Sequence, residues 1–509
     1  MYSIQYLRKP NFVEVKVFFK KSKGSNKIDL GVLEAEGEAI ASSSVKLSDV
    51  FFDDLEVIEK LNSQRFVVVG RKGAGKSALA NFIYTSMNEE PTAQCRIIKH
   101  DSIERELKLQ GLESSSVLGL DFYKWLVMVN LIDLLVKHES VFEDLKSFDK
   151  LKEFLEVNRG GVRITEQKLT GSELTKSLGS EATFGVDAKP LKSFMKVNGM
   201  TSIKNLRNSP TIYEILSDLE KVIGKLLLCA KNSNNDNNYC LIFDDLDIGF
   251  KVSKKESVDN LICLLRATKE INAAWNSFNF KCIVLLRDDV ERLLVGMESD
   301  LNKYFGSYGV PLNWYTQGEE APELKSFIER RISRAFKEVQ GVENANWLNL
   351  TNSPFKEVLD RTFCRPRDLI AYFSPLAERE YSYPLTKEET DKLVVNFGSY
   401  VREEFKSELS SFYTDREIDV ILSTLSTILK TEPTVGEIIP KLREAEIDAE
   451  KVLEDLYERS FIGMRNDKGH VFFKYKYLPH HTFGDELKLS EDQKLLVHFI
   501  FEQLFRETY

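Results

Sequence analysis

The sequence predicts an α/β fold: a parallel sheet with crossover helices, then a helical lid and a C-terminal winged-helix-like domain. Three observations predict it. Apolar runs at 66–69, 95–99, 239–243 and 280–286 alternate with stretches of helical periodicity, the order expected of βαβ units. The first run stops at a glycine-rich turn, and a helical pattern follows from Lys76. Beyond Pro322 the pattern is helical, until a helix and two short strand-like runs close the sequence.

Composition sets the frame for these elements. A chain of 509 residues exceeds one ordinary core, so several domains are expected. With 42% apolar and 29% charged residues it reads as globular rather than disordered or fibrous. The net charge of −9 gives no global basic field for nucleic acid, which leaves only a local basic face open. The six cysteines form no CxxC pair and lack nearby histidines at metal-ligand spacing. Cys240 and Cys282 lie in apolar runs and read as buried thiols, and unpaired cysteines suit a reducing compartment. The first ten residues carry no apolar stretch that would make a signal peptide. The most membrane-like segment, 125–136, is too short to span and contains Asn130 and Asp133, so it reads as a buried helix. A cytoplasmic location without membrane contact follows as the expectation.

Residues 1–45 read as an N-terminal β extension, because 12–19 alternates apolar and polar residues before a Lys-, Ser- and Gly-rich turn. The core spans 46–318. It holds an insertion at 101–209, helical over 116–157 and then, over 160–208, more like a hairpin or loop. A helix at 211–230 and a polar connection at 231–238 lead into the strand at 239, and another helix covers 254–272. The lid is expected at 319–408, beginning with an amphipathic helix at 323–337 that carries Arg330, Arg331 and Arg334. Thr386 with Glu389, and Thr414 with Glu417, spell capping boxes. The winged-helix-like domain is expected at 409–509, with a helix at 448–460, strands at 461–464 and 471–475, and a polar turn between them.

The strongest chemical signal is Gly70-Arg71-Lys72-Gly73-Ala74-Gly75-Lys76-Ser77, followed by Ala78. It matches G-x-x-x-x-G-K-[ST], the loop that marks a P-loop NTPase. Polyphosphate needs many donors at close range, which glycines allow by curling backbone N–H groups inward over a helix N-terminus. Lys76 is expected to reach the β- and γ-phosphates of ATP and Ser77 to supply a hydroxyl to Mg²⁺. The second signal is the strand 239–243 running into Asp244, Asp245 and Asp247. Asp244 is assigned to Mg²⁺ and Asp245 to activation of the attacking water. Asp247 serves equally well as a helix cap. Arg287, at the tip of the strand 280–286, is proposed to sense the γ-phosphate; the alternative is an ion pair with Asp288 or Asp289. Arg365 and Arg367 in the lid can reach the nucleotide, in cis or against a neighbouring subunit, or form a plain surface turn.

Other motifs point nowhere. Asn26-Lys27-Ile28-Asp29 spells a guanine-specificity motif but lies upstream of the phosphate loop, so it is a coincidence. His480 and His481 have no metal-binding partners nearby. Lysines 189, 192, 196 and 204 with Arg207 can track a phosphate backbone, although a solvated loop is the commoner meaning of such a run. Glu450, Glu454, Asp455 and Glu458 argue against groove binding by the helix of the tail.

Taken in order, the phosphate loop, the Asp244-Asp-Leu-Asp247 run, Leu285-Leu-Arg-Asp-Asp289 and Arg365-Pro-Arg-Asp368 resemble a group of bacterial FunZ-like P-loop ATPases. These are related to the KAP and STAND branch of AAA-type NTPases. The resemblance covers about residues 46–375, and the ending at 494–499 also looks like that group's. It implies a five-stranded ASCE core and an ATP-driven switch, often encoded in phage-defence loci, working with an effector protein or as a homo-oligomer. Asp245 stands where many AAA relatives have glutamate, as in STAND-type proteins, which puts the hydrolysis rate in question. The competing readings are an ATP-dependent DNA-binding or repair ATPase, a small-molecule kinase, and a non-hydrolysing scaffold.

Overall fold

The computed structural model describes residues 26–40, 42–109, 119–138, 237–247, 255–314, 321–465 and 490–501, with scattered positions between them. The strand expected at 12–19, the 160–208 segment with its lysines, and His480 and His481 lie outside the described residues.

The sheet is built from β1 (Val67–Gly70), β2 (Ala93–Lys99), β3 (Asn238–Asp244), β4 (Phe280–Arg287) and β5 (Gly309–Pro311). Its order is β2-β3-β4-β1-β5 and every pairing is parallel. This is the P-loop NTPase order, in which one strand separates the phosphate-loop strand from the strand bearing the paired acids. The run Val67-Val68-Val69 is buried throughout, as a central parallel strand covered on both faces must be.

Among the helices of the described residues that surround the sheet, five bear most on the site. Helix α1 (Ala35–Ala39) precedes β1, α2 (Lys76–Glu89) follows it, and α3 (Gly119–Lys137) comes after β2. Helices α4 (Lys255–Ala274) and α5 (Asp288–Met297) flank β4. One face of the sheet packs on α3 and α4, while Val57 with Leu79 and Ala80 of α2 covers the other. Helix α3 contains the 125–136 segment expected to be a buried helix. Its apolar residues are buried almost all round, and Asn130 is satisfied internally, its Nδ2 donating to the Leu126 carbonyl at 2.7 Å. Asp133 pairs with Arg96 on β2. No helix among the described residues is long and apolar enough to cross a membrane.

The lid begins with α6 (Pro322–Gln340), which has proline in its first turn and ends at Gly341 in the left-handed region, as helix starts and stops favour. Helices α7 (Pro366–Phe373) and α8 (Lys387–Leu409) complete it. Then come α9 (Asp415–Thr431), α10 (Val435–Glu444) and α11 (Ala449–Glu458), with β6 (Ile462–Arg465), β7 (Val471–Phe472) and β8 (Lys494–Val497). The three strands form an antiparallel sheet in the order β7-β6-β8, giving the winged-helix-like arrangement. Both capping boxes form, at Thr386–Glu389 and Thr414–Glu417.

Leu324 of α6, Leu369 of α7, Val401 of α8, Leu425 of α9, Leu453 of α11 and Ile462 of β6 all belong to one hydrophobic core. Lid and C-terminal elements are therefore packed as one body above the sheet, with α8 running through it. Ile28 and Leu30 join the same core, and the Ile28 amide donates to the Leu376 carbonyl at 3.0 Å. The described part of the N-terminal segment thus forms a strap from the lid to the sheet and contains a short helix.

Candidate nucleotide site

The phosphate loop leaves β1 at Gly70 and becomes α2 at Lys76. Gly73 has φ +80° and Gly75 φ +98°, where an L side chain is strained. A Cβ on Gly73 would also lie 3.2 Å from the Cβ of Arg367, so the loop needs glycine there to let the lid approach. The first-turn N–H groups of α2 have no helical acceptors, which makes this end a natural anion seat.

Each expected site residue has a definite place. Lys76 curls over the loop, its Nζ donating to the carbonyls of Gly70 at 2.8 Å and Arg71 at 3.1 Å. Burial holds its ammonium below the usual lysine range, with Asp247 the main opposing charge. Lys76, Ser77 and Ala78 line the same cleft as Gly73, Ala74 and Gly75. Asp244 ends β3 with only 2% of its surface exposed, and its Oδ2 has no hydrogen-bond partner. Burial, helped by the charge of Asp245, pushes this carboxyl up to about 6, and a hydrogen bond involving Ser77 opposes the rise. A buried anion with one bare oxygen beside a serine hydroxyl and a phosphate loop fits a hard divalent cation. Asp245 has φ +56°, and its Oδ2 pairs with Lys99 Nζ at 3.0 Å.

The arginines divide into two kinds. Arg287 lines the cleft from the end of β4, but carboxylates surround its guanidinium. Its Nε donates to Asp289 Oδ1 at 3.0 Å and Nη2 to Asp289 Oδ2 at 2.5 Å, while Nη1 donates to Asp247 Oδ2 at 3.2 Å. The pairing with Asp289 weighed against the sensor role is thus present, and Asp247 is held by the same group. Arg365, 2% exposed, turns away from the cleft: Nη1 donates to the Lys72 carbonyl at 3.0 Å and to Glu408 Oε1 at 2.5 Å, and Nε to Asp368. Arg367 lines the cleft, with its nearest carboxylate, Glu404, at 3.6 Å.

The other loop cations also face the lid. Arg71 donates to the Arg459 carbonyl at 2.7 Å and lies 3.8 Å from Glu408, and burial pulls its guanidinium down to about 10. Lys72 donates to Ser407 Oγ at 2.6 Å and pairs with Glu404 at 3.4 Å. Glu408, on α8, is the hub. Neighbouring guanidinium groups, Arg365 first, outweigh its burial and hold its carboxyl down to about 2. Arg459, at the end of α11, reaches Asp289 at 2.7 Å and Asp455 at 3.0 Å. Sequence reading missed Glu404, Glu408 and Arg459, because acids four apart on a helix and an arginine at a helix end are ordinary surface patterns.

The cleft measures about 290 Å³. Besides the phosphate loop and the acids, Leu47, Phe51, Leu55 and Val57 line it from the segment before β1, and Phe327 and Ile370 from the lid. Apolar walls with a few convergent polar groups suit a ligand with a flat base at one end and phosphates at the other. The Asn26–Asp29 motif takes no part: Asp29 accepts from the Gly31 amide at 3.0 Å and Ser44 Oγ at 2.6 Å, holding a turn of the strap.

No protein-family model matches the sequence, and no curated protein matches it. Among solved structures, two of the Aeropyrum pernix ORC2 protein align with this chain. Its ADPNP–ADP complexes are 13% identical over 91% of this chain and 93% of theirs, with a TM-score of 0.37. Its ADP form is 13% identical over 91% and 94%, with a TM-score of 0.30. The P-loop NTPase fold rests on the strand order and the loop described above.

Proposed function

We propose that this chain is an ATP-binding and hydrolysing molecular switch. One observation carries the reading: the buried, bare Asp244 oxygen beside Ser77, facing a phosphate loop in a cleft with apolar walls. Lys76 leaves its two carbonyls to meet the β- and γ-phosphates. Ser77 and Asp244 hold Mg²⁺, which when bound neutralises phosphate charge. Asp245 orients the attacking water, with Lys99 fixing its carboxylate. Arg367 is the lid arginine placed to reach the nucleotide, and Arg365 holds the lid in place. Arg287 acts through the Asp247 and Asp289 pairs that it would exchange on nucleotide binding.

The switch character follows from the Glu408 hub. Arg71 of the phosphate loop and Arg365 of the lid meet on one carboxylate, and the Glu408 carbonyl accepts from Arg287 Nη2 at 3.3 Å. A change at the phosphates is then felt in α8 and, through Arg459, in the C-terminal elements. The motif resemblance supports a role as the ATPase component of a bacterial antiphage system, with an effector or as an oligomer. Limited proteolysis tests the switch: ATP and ADP should protect the 321–465 region differently, and identical patterns with and without nucleotide would sink it.

The winged-helix-like arrangement favours a second reading, an ATP-dependent DNA-binding ATPase. Hydrolysis stimulated by DNA and weakened steeply by salt would select it.

A further inference from the structure

The acidic end of the cleft receives a carboxylate from outside the sheet. Glu36 sits on α1 in the N-terminal strap, and its Oε1 accepts from Lys99 Nζ at 2.7 Å. The same ammonium holds Asp245 Oδ2 at 3.0 Å. One carboxylate oxygen from each of Glu36, Asp244 and Asp245 lies within 4.8 Å of the other two. Three like charges this close repel, and Lys99 directly pairs only two of them. The third, Asp244, has the buried oxygen that finds no donor.

Glu36 is also held there. Two residues on, Glu38 is clamped by Arg331 of the lid, at 2.7 Å from Nη1 and 2.8 Å from Nη2, with both side chains buried. Glu38 Oε1 also accepts from the Val32 amide at 3.1 Å. This ion pair pins the strap, so the position of Glu36 is set by the lid and not by chance contact of a loose terminus. Oxygens sharing one magnesium ion, each about 2.1 Å away, lie up to about 4.2 Å apart. A spacing within 4.8 Å therefore needs only a small closure to hold the ion or one of its waters.

We propose that Glu36 is a further carboxylate of the divalent-cation site anchored by Asp244, reaching a hard ion such as Mg²⁺ or Mn²⁺, or one of its waters, beside the water-orienting Asp245. This deepens the nucleotide reading, since the cation is the one that accompanies the polyphosphate. It gives the strap a chemical role in the site: the cation's shell is complete only with the strap docked on the lid.

The test uses the full chain and Mn²⁺ as probe, with free Mn²⁺ followed by electron paramagnetic resonance in the presence of ATP. Nucleotide affinity is measured separately in EDTA. Glu36→Gln should weaken Mn²⁺ binding by about tenfold or more, the cost typical of losing a partner around a metal. Glu36→Asp should fall between that variant and the wild type, and metal-free nucleotide affinity should stay within about twofold in both. If Glu36→Gln binds Mn²⁺ like the wild type while Asp244→Asn loses it, Glu36 is no part of the site and only this inference falls. If the wild type binds neither nucleotide nor Mn²⁺, the nucleotide reading falls with it.

Discussion

Glu408→Gln is the sharpest structural prediction, because it keeps the shape of the buried hub and removes its charge. The carboxylate contacts Arg365 Nη1 at 2.5 Å and lies 3.8 Å from Arg71 Nη2, with 3% of the residue exposed. An ordinary glutamate titrates near 4.5, and Glu408 is held down to about 2. That difference corresponds to about 3 kcal/mol of stability at neutral pH, within reach of the 3–5 kcal/mol cost of breaking a buried ion pair. The folded value is depressed, so the contribution is full above the unfolded value and is lost as pH falls through about 2. Urea unfolding at several pH values reads this directly. The variant should be less stable than the wild type by about 3 kcal/mol at pH 7, and the gap should close progressively between about pH 5 and pH 2. Equal stability at pH 7, or a gap that ignores pH, would refute the reasoning that this carboxylate works as an anion joining the phosphate loop to the lid.

Asp244→Asn should do the reverse in the ligand-free protein. Asp244 is raised from 3.8 to about 6, so its ionised form destabilises the fold fully above about pH 6 and not at all below the unfolded value. The variant should therefore gain about 2–3 kcal/mol at pH 7 by urea unfolding while losing the stabilisation that Mg²⁺ with ATP gives the wild type. In the wild type, Mn²⁺ affinity should rise as pH climbs through about 6 and then level off, as titration calorimetry across pH 5 to 8 would show. The two lid arginines should separate: Arg365→Ala should cost about 3–5 kcal/mol in stability by stranding Asp368 and Glu408. Arg367→Ala should leave stability within about 0.5 kcal/mol and lower ATP turnover instead, by steady-state assay.

Four of the five sheet strands and the phosphate loop were legible because their signals are local, whereas the three-residue β5 carries too short a run to read. An all-β-branched run such as Val67–Val69 has one stable setting, a buried central strand, and glycines at 73 and 75 mark backbone that no other residue adopts comfortably. The capping boxes were legible for the same reason. Residues that meet only through the fold were not. Glu36 and Asp245 are joined by Lys99, and Glu408 draws together residues from the phosphate loop, β4, the start of α7 and the end of α11. No spacing in one chain encodes such meetings. The strap's contacts with the lid, Ile28 in the lid core and Glu38 on Arg331, were not legible either, since the latter pair alone stands 293 positions apart in the sequence. The third strand of the C-terminal sheet, Lys494–Val497, was missed because its three apolar residues after a polar stretch have no period to read.

Under the proposed function, Lys76, Asp244 and Asp245 form a working ATPase centre. The most direct measurement is ATP hydrolysis by the wild type, Lys76→Ala and Asp245→Asn, with and without DNA. Mg²⁺-dependent turnover is expected of the wild type, with loss of at least about a hundredfold in both variants, as for removal of a group acting on the transition state. Turnover that survives Lys76→Ala, or a wild type that neither binds nor hydrolyses ATP, would contradict it.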